Sequence, residues 1–323
     1  MPIGRQLKTA SRCGWLAAAI GLVLVACSNG STESLAASGA GQYPGWPGSG
    51  TVVATGDFVP ILVSAELGTG HERVLITLQD RAGRTLVAPD VTVDESFYEL
   101  AASVDTPVNE VAGTFRWLIP DEKAIYSAFT DFARAGDWGV EVTAHQAGQA
   151  DRTARITFSV RRTTLTPAIG GPAPATDTPT ATDLTAVSAI STDEKPDLAF
   201  YALSIRDAIA AGKPFVVVFA TPAFCTSGTC GPALDLVKQV AADYIGRVNF
   251  IHVEPYVLEV ADGKTQPKLG ESGYPQPVPA VTEWGLPTEP YVFVVDAQGR
   301  VAGKFEGMAY PDELTAALDG LLP

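Results

Sequence analysis

The chain has 323 residues, which is enough for about two domains. Of these residues 46% are hydrophobic and only 18% are charged, a composition typical of a folded protein. The formal net charge of −14 argues against nucleic-acid binding, because neutralising phosphates requires clusters of lysine and arginine.

The first 27 residues have the pattern of a signal peptide. A basic head with Arg5, Lys8 and Arg12 precedes the apolar run WLAAAIGLVLVAC. This run is shorter than the about 20 apolar residues that a membrane-spanning helix needs. The run ends in LVAC, which resembles the lipobox of bacterial lipoproteins. The resemblance implies that Cys27 receives lipid such as palmitate, and that the protein is anchored to the cell membrane on its extracytoplasmic side. An ordinary secretory leader with a chance cysteine is the alternative.

On this prediction, two of the four cysteines remain free in the mature protein. Cys13 leaves with the leader and Cys27 is used for the lipid, so that Cys225 and Cys230 remain in the mature protein. A lone pair in an oxidising compartment can form a disulfide.

The next two segments differ in composition. Residues 28–50 are small, polar and glycine-rich, which predicts a flexible tether. Residues 51–162 contain short runs rich in β-branched and aromatic residues, such as ARITFSVRR, separated by turn signals, and we expect an all-β sandwich. The run AFTDFARAGDWGVEVTA resembles a late strand pair of the small immunoglobulin-like domains of bacterial exported proteins. There is no cysteine pair here for an antibody-type disulfide.

Residues 163–196 are dominated by proline, threonine and alanine and contain no aromatic residue. This composition predicts an extended linker without a core of its own.

The predicted elements change character in residues 197–323. SIRDAIAAGKP predicts a short helix capped by Ser204, and FVVVFA predicts a strand buried on both faces of a mixed sheet. A helix is expected in GPALDLVKQVAADYI, a strand in RVNFIHVE, a hairpin in YVFVVDAQGRVAGKFEG and a closing helix in PDELTAALDGLL.

A cysteine pair between the first strand and its helix, in this order of elements, resembles the thioredoxin-like superfamily over about residues 198–323. VVVFATPAFC stands where the family has the strand before its first redox cysteine, and GLPTEPYVFVVD stands where it has a cis-proline loop. The resemblance implies that Cys225 attacks, that Cys230 resolves, and that Glu289 and a cis Pro290 line the substrate site. The predicted fold class is therefore multidomain, with an immunoglobulin-like sandwich followed by a C-terminal α/β thioredoxin-like fold.

The spacing of the cysteines departs from the family's usual two intervening residues. In a regular helix, five residues at about 1.5 Å each would place the two Cα atoms roughly 7.5 Å apart along the axis, too far for a disulfide. We therefore expect Thr226 to Thr229 to form a loop and Cys225 to bond to Cys230.

Three interpretations of the pair remain open. In a redox centre, a helix N-terminus would favour the thiolate of Cys225. The pair can instead be an inert structural disulfide in a protein that only binds partners. It can also be a copper(I) site for metal delivery, with His252 as the candidate third ligand beside Cys225 and Cys230.

The sequence thus predicts a membrane-anchored, extracytoplasmic thiol–disulfide oxidoreductase that needs no cofactor. Its expected partners are exported proteins that carry thiols or disulfides. No phosphate loop, serine-nucleophile elbow or metalloprotease histidine pair occurs in the chain.

Overall fold

The structure, a computed structural model, describes residues 42–322 apart from Ser49 and Gly56. The predicted leader, lipid-attachment residue Cys27 and most of the tether lie outside the described residues. The described residues are mostly β, with 38% of them in strands and 15% in helices. No helix within the described ranges is long and apolar enough to cross a membrane.

A single eight-stranded antiparallel sheet forms the N-terminal part of the structure. The sheet is nearly closed, and its strands run in the order β1-β8-β7-β4-β5-β6-β3-β2. The strands are β1 (Val53–Ala54), β2 (Val59–Leu62), β3 (Gly70–Gln79), β4 (Val91–Glu99), β5 (Asn109–Ile119), β6 (Lys123–Phe132), β7 (Gly136–Gln146) and β8 (Arg152–Val160).

The core of this sheet follows from alternation along the strands. In β4, Val91, Val93 and Phe97 are buried while Thr92 and Asp94 face solvent, as the period of two requires. The inward side chains of all the long strands join one hydrophobic cluster. Burial of this one face holds the curved sheet together.

The C-terminal part contains a four-stranded mixed sheet in the order β10-β9-β13-β14 and a separate hairpin of β11 and β12. The strands are β9 (Phe215–Phe219), β10 (Asn249–Val253), β11 (Leu258–Ala261), β12 (Lys264–Pro267), β13 (Tyr291–Val295) and β14 (Val301–Glu306). The helices are α1 (Leu184–Val187), α2 (Ile205–Ala210), α3 (Cys230–Ala241), α4 (Pro279–Glu283) and α5 (Pro311–Asp319).

Strand β9 lies at the centre of this sheet and is completely buried. It pairs in parallel with β10 and antiparallel with β13. Val216 and Val218 face the cluster that contains α3 and α5, while Phe215, Val217 and Phe219 face the cluster that contains α2 and α4. The apolar run predicted to be buried on both faces is thus confirmed.

Residues 163–196 do not form the extended, coreless segment that their composition predicts. Ala181, Val187 and Ser191 are buried, and the first two belong to the cluster around α3. The short helix α1 lies in this segment and is capped by the side chain of Asp183. Proline interrupts helices and strands because it lacks a backbone N–H, but it does not prevent a segment from packing on a neighbouring sheet.

The predicted fold class, an immunoglobulin-like sandwich joined to a separate α/β thioredoxin-like fold, is wrong. One large antiparallel sheet takes the place of the sandwich, the described helices are few and short, and the described residues belong to one compact unit. The two sheets are joined through buried polar contacts, among them the ion pairs Arg73–Glu313 and Lys304–Glu72. Such long-range contacts leave no local pattern in the sequence. The predicted domain boundaries stay predictions.

Candidate functional site

The cysteine pair lies where β9 leads towards α3. The loop after β9 carries Cys225, and α3 begins at Cys230. The two residues form a disulfide with their Cα atoms 5.9 Å apart. Residues 226–229 form the loop that the sequence predicts, and Gly228 in this loop has a φ of 76°, which favours glycine.

The two sulfur atoms have different surroundings. Cys230 is completely buried in the cluster around α3, whereas Cys225 is only partly buried. The backbone N–H of Cys230 donates to Sγ of Cys225 at 3.3 Å, and the hydroxyl of Ser227 lies 3.1 Å from the same sulfur. Both groups can donate hydrogen bonds to a thiolate at Cys225, which favours the charged form.

The Glu289–Pro290 bond is cis, as the resemblance implies. Tyr291 pairs with Phe219 at the end of β9, so Pro290 lies at the sheet edge from which the cysteine loop leaves. The carboxylate of Glu289 accepts a hydrogen bond from the hydroxyl of Tyr256 at 3.0 Å. The structure thus places both predicted substrate-site residues at the edge that carries the disulfide.

His252 is buried on β10 and both of its ring nitrogens are engaged. Nε2 lies 2.9 Å from the carbonyl oxygen of Ala220, so this nitrogen donates. Nδ1 then accepts from the hydroxyl of Tyr201 at 2.8 Å. Burial lowers the pKa of His252 to about 4, so the ring is neutral at pH 7.

The metal alternative finds little support in this geometry. To bind copper(I), His252 would have to break one of two buried hydrogen bonds. Within the described part of the chain, no group of three histidine, cysteine, aspartate or glutamate side chains is arranged to hold a metal ion.

Glu254, just after β10, connects the cysteine loop to residues 163–196. One carboxylate oxygen accepts from the backbone N–H of Thr192 at 2.9 Å and from its hydroxyl at 2.8 Å. The same hydroxyl accepts from the N–H of Ala223, two residues before Cys225, at 3.2 Å. Burial raises the pKa of Glu254, and the hydrogen bonds from Thr192 oppose this shift. Through Thr192, the buried carboxyl group of Glu254 thus holds the chain segment that leads to Cys225.

A surface cavity of about 520 Å³ lies beside Ala223 and Phe224. Residues from the 184–196 segment form one side of the cavity, and Thr265 of β12 contributes to its lining. The insertion between β10 and β13 therefore reaches the surroundings of the cysteine loop.

Sequence reasoning missed two residues of the site. Thr192 lies in a stretch whose composition predicted an extended linker, and Lys123 lies more than a hundred residues before the cysteines. The ammonium group of Lys123 donates to the backbone oxygen of Ser227 in the cysteine loop at 3.4 Å. Neither position has a local signal that marks it as part of a site.

Comparison with protein-family models and with curated proteins finds no match for this chain. Among solved structures, the chain is similar to a crystal structure of an engineered protein, with 17% sequence identity and a TM-score of 0.22. The similar region covers 32% of this chain and 20% of that protein.

Proposed function

We propose that the protein is a thiol–disulfide oxidoreductase that uses Cys225 and Cys230. The observation that carries the proposal is the difference between the two sulfurs. Cys225 is partly exposed beside two hydrogen-bond donors, whereas Cys230 is completely buried at the first position of α3. A partner can reach Sγ of Cys225, whereas Cys230 is closed to solvent and is bonded to Cys225.

The exchange starts from the reduced pair. The thiolate of Cys225 attacks one sulfur of a partner disulfide, a mixed disulfide forms, and the other partner sulfur leaves as a thiolate. The thiolate of Cys230 then attacks Sγ of Cys225 and releases the second partner thiolate. The partner disulfide is reduced by two electrons and the cysteine pair is oxidised by two. The reverse sequence oxidises a partner dithiol.

The proposed partners are exported proteins with thiols or disulfides, and the proposed location is the extracytoplasmic side of a membrane. The leader pattern and LVAC support this location, since both are typical of lipid-anchored proteins. Metabolic labelling with a palmitate analogue is expected to mark the wild-type protein. Persistent labelling of Cys27→Ser would contradict the anchor.

Equilibration of the pair with redox buffers tests the activity. A reduction potential within roughly −120 to −270 mV is expected for a pair that exchanges with partners. A potential below about −300 mV would instead indicate a structural disulfide, and the proposal would fail.

Trapping in the native host tests the roles of the cysteines. Cys230→Ser is expected to accumulate mixed disulfides, because Cys225 still attacks and nothing resolves the product. Cys225→Ser is the matched control and is expected to trap none. The opposite pattern would reverse the two roles.

A further inference from the structure

The turn between β5 and β6 of the large sheet lies against the cysteine loop. Ile119 and Lys123, the residues at either side of this turn, are partners in the strand register. Each contacts the loop: Lys123 through the backbone oxygen of Ser227, and Ile119 through the space beside Gly228, where a Cβ would lie 3.5 Å from Cδ1. The large sheet thus contributes two neighbouring contacts to the loop that closes the disulfide.

Partly buried contacts hold this turn in place. The hydroxyl of Tyr310 donates to the backbone oxygen of Trp117 at 2.8 Å. Leu118 packs against a cluster that contains Ala233 of α3 and Met308. The position of the turn relative to the disulfide therefore does not depend on the exposed Lys123 side chain itself.

Lys123 also has no ion-pair partner among residues 42–322 as described. This is notable in a chain with 36 acidic and 22 basic residues. The ammonium group of Lys123 touches Ser227, whose hydroxyl in turn lies 3.1 Å from Sγ of Cys225. The positive charge of Lys123 is thus linked to the more exposed sulfur through Ser227, and it can favour the negative form of that sulfur.

We propose that Lys123 is a positioning residue of the redox site, whose charge stabilises the thiolate of Cys225. The eight-stranded sheet then helps to set the reactivity of the disulfide. This inference rests on the proposed thiol exchange, and it extends that proposal to a residue outside the cysteine-bearing sheet. The chemistry requires no further reactant, because Lys123 keeps its proton while the thiol of Cys225 loses its own to water.

The exposure of Lys123 limits how strongly its charge can stabilise the thiolate of Cys225. Lys123 is exposed, so its interaction with the thiolate is screened by water and salt. An interaction of this class changes an equilibrium by about two- to threefold at low ionic strength. At about 0.5 M salt, where the Debye length is only a few ångströms, most of the effect is expected to disappear.

The test measures the thiol of Cys225 directly in Cys230→Ser, with no redox partner present. The rate of alkylation by iodoacetamide as a function of pH gives the fraction of thiolate. In the same background, Lys123→Met is expected to lower this fraction about two- to threefold at a fixed pH below the thiol pKa, and Lys123→Arg is expected to retain it. Lys123→Glu is expected to lower the fraction further, since it places a negative charge at the same position.

Two controls separate charge from packing. Ile119→Ala removes the neighbouring contact but keeps the ammonium group, so the thiolate fraction is expected to stay unchanged. Lys264→Met removes an exposed lysine from β12 and is also expected to leave it unchanged. An unchanged fraction in Lys123→Met, or an equal loss in Ile119→Ala, would overturn the role of the charge.

Failure of this inference is distinguishable from failure of the proposed function. The thiolate measurement does not depend on whether the wild-type pair exchanges with any partner. A structural potential of the wild-type pair would refute the exchange alone. An insensitive thiol in Lys123→Met and Lys123→Glu would refute the role of Lys123 alone.

Discussion

The guanidinium group of Arg73 and the carboxylate of Glu313 form a buried, two-pronged ion pair. Nε and Nη2 of Arg73 each lie 2.9 Å from a carboxylate oxygen, and both side chains are almost completely buried. Two further N–H groups of Arg73 donate to the backbone oxygens of Glu306 and Met308. One arginine of β3 thus holds the end of β14 and the first turn of α5 against the large sheet.

Removing one partner of this pair is expected to destabilise the protein strongly. Arg73→Met leaves the buried carboxylate of Glu313 with only the more distant guanidinium group of Arg116, 3.8 Å away, as a counter-ion. We expect a loss of about 3–5 kcal/mol in the free energy of unfolding. Arg134→Met is the matched control, because the Arg134–Glu99 pair is largely exposed on the arginine side and should contribute less than about 1 kcal/mol. Denaturant unfolding measures both values.

The double variant Arg73→Met/Glu313→Leu is expected to regain part of that loss, since it leaves no unpaired charge in the interface. Equal stability of Arg73→Met and Arg134→Met would contradict the importance of the pair.

Glu95 is expected to make stability fall as the pH rises. Its side chain is completely buried in the core of the large sheet, and neither carboxylate oxygen has a hydrogen-bond partner in the described structure. Burial raises the pKa of Glu95 to about 8. Below pH 4.5 both the folded and unfolded states hold the proton. Between pH 4.5 and 8 only the folded state holds it, so unfolding becomes easier by up to about 5 kcal/mol.

Substituting Glu95→Met is expected to remove this dependence. The variant should gain stability relative to the wild type as the pH rises from 5 to 8, and the gain should level off above pH 8. Glu110→Gln, on the exposed face of the neighbouring strand β5, is the control and should track the wild type. Chemical unfolding at a series of pH values provides the measurement, and parallel curves for Glu95→Met and the wild type would refute the assignment.

His252 is expected to have the opposite effect on the acid side. Burial lowers its pKa from 6.5 to about 4 in the folded protein. Above pH 6.5 the ring is neutral in both states. As the pH falls from 6.5 to 4, the unfolded state takes up a proton that the folded state does not, which costs about 3 kcal/mol of stability. In His252→Gln this part of the acid loss should vanish.

The exposed His71 provides the control for His252. His71→Gln removes a surface histidine on the large sheet, away from β10, so the acid loss assigned to His252 is expected to remain. Thermal unfolding between pH 4 and 7 compares the three proteins. A full acid loss in His252→Gln would show that other groups cause it.

Thr192 is expected to matter for both stability and the reactivity of the disulfide. Thr192→Val removes the hydroxyl that joins Glu254 to the N–H of Ala223. We expect a cost of about 1 kcal/mol, because Glu254 keeps the hydrogen bond from the backbone N–H of Thr192 and the exposed N–H of Ala223 can bind water. Because the segment before Cys225 is then held less firmly, reduction of the Cys225–Cys230 disulfide by dithiothreitol is expected to become faster. The exposed Thr182→Val is the control, and equal reduction rates in the two variants would contradict this role of Thr192.

Local patterns in the sequence determined the individual elements around the disulfide. The apolar run of β9, the Ser204 cap of α2 and the need for a loop between Cys225 and Cys230 all depend on neighbours within a few residues. Strand periodicity also located the β-rich region. These features are readable because side-chain alternation, capping and disulfide reach are short-range constraints.

Only the tertiary structure decided how these elements assemble. It arranged eight strands in one sheet, packed residues 163–196 on the smaller sheet, and joined the parts through Arg73 and Glu313. It also brought Thr192 and Lys123 to the cysteine loop. Thr192 is hydrogen-bonded to Ala223, 31 residues later in the chain, and Lys123 is hydrogen-bonded to Ser227, 104 residues later. Contacts over such separations depend on which buried surfaces fit together, and that fit leaves no periodic trace in the chain.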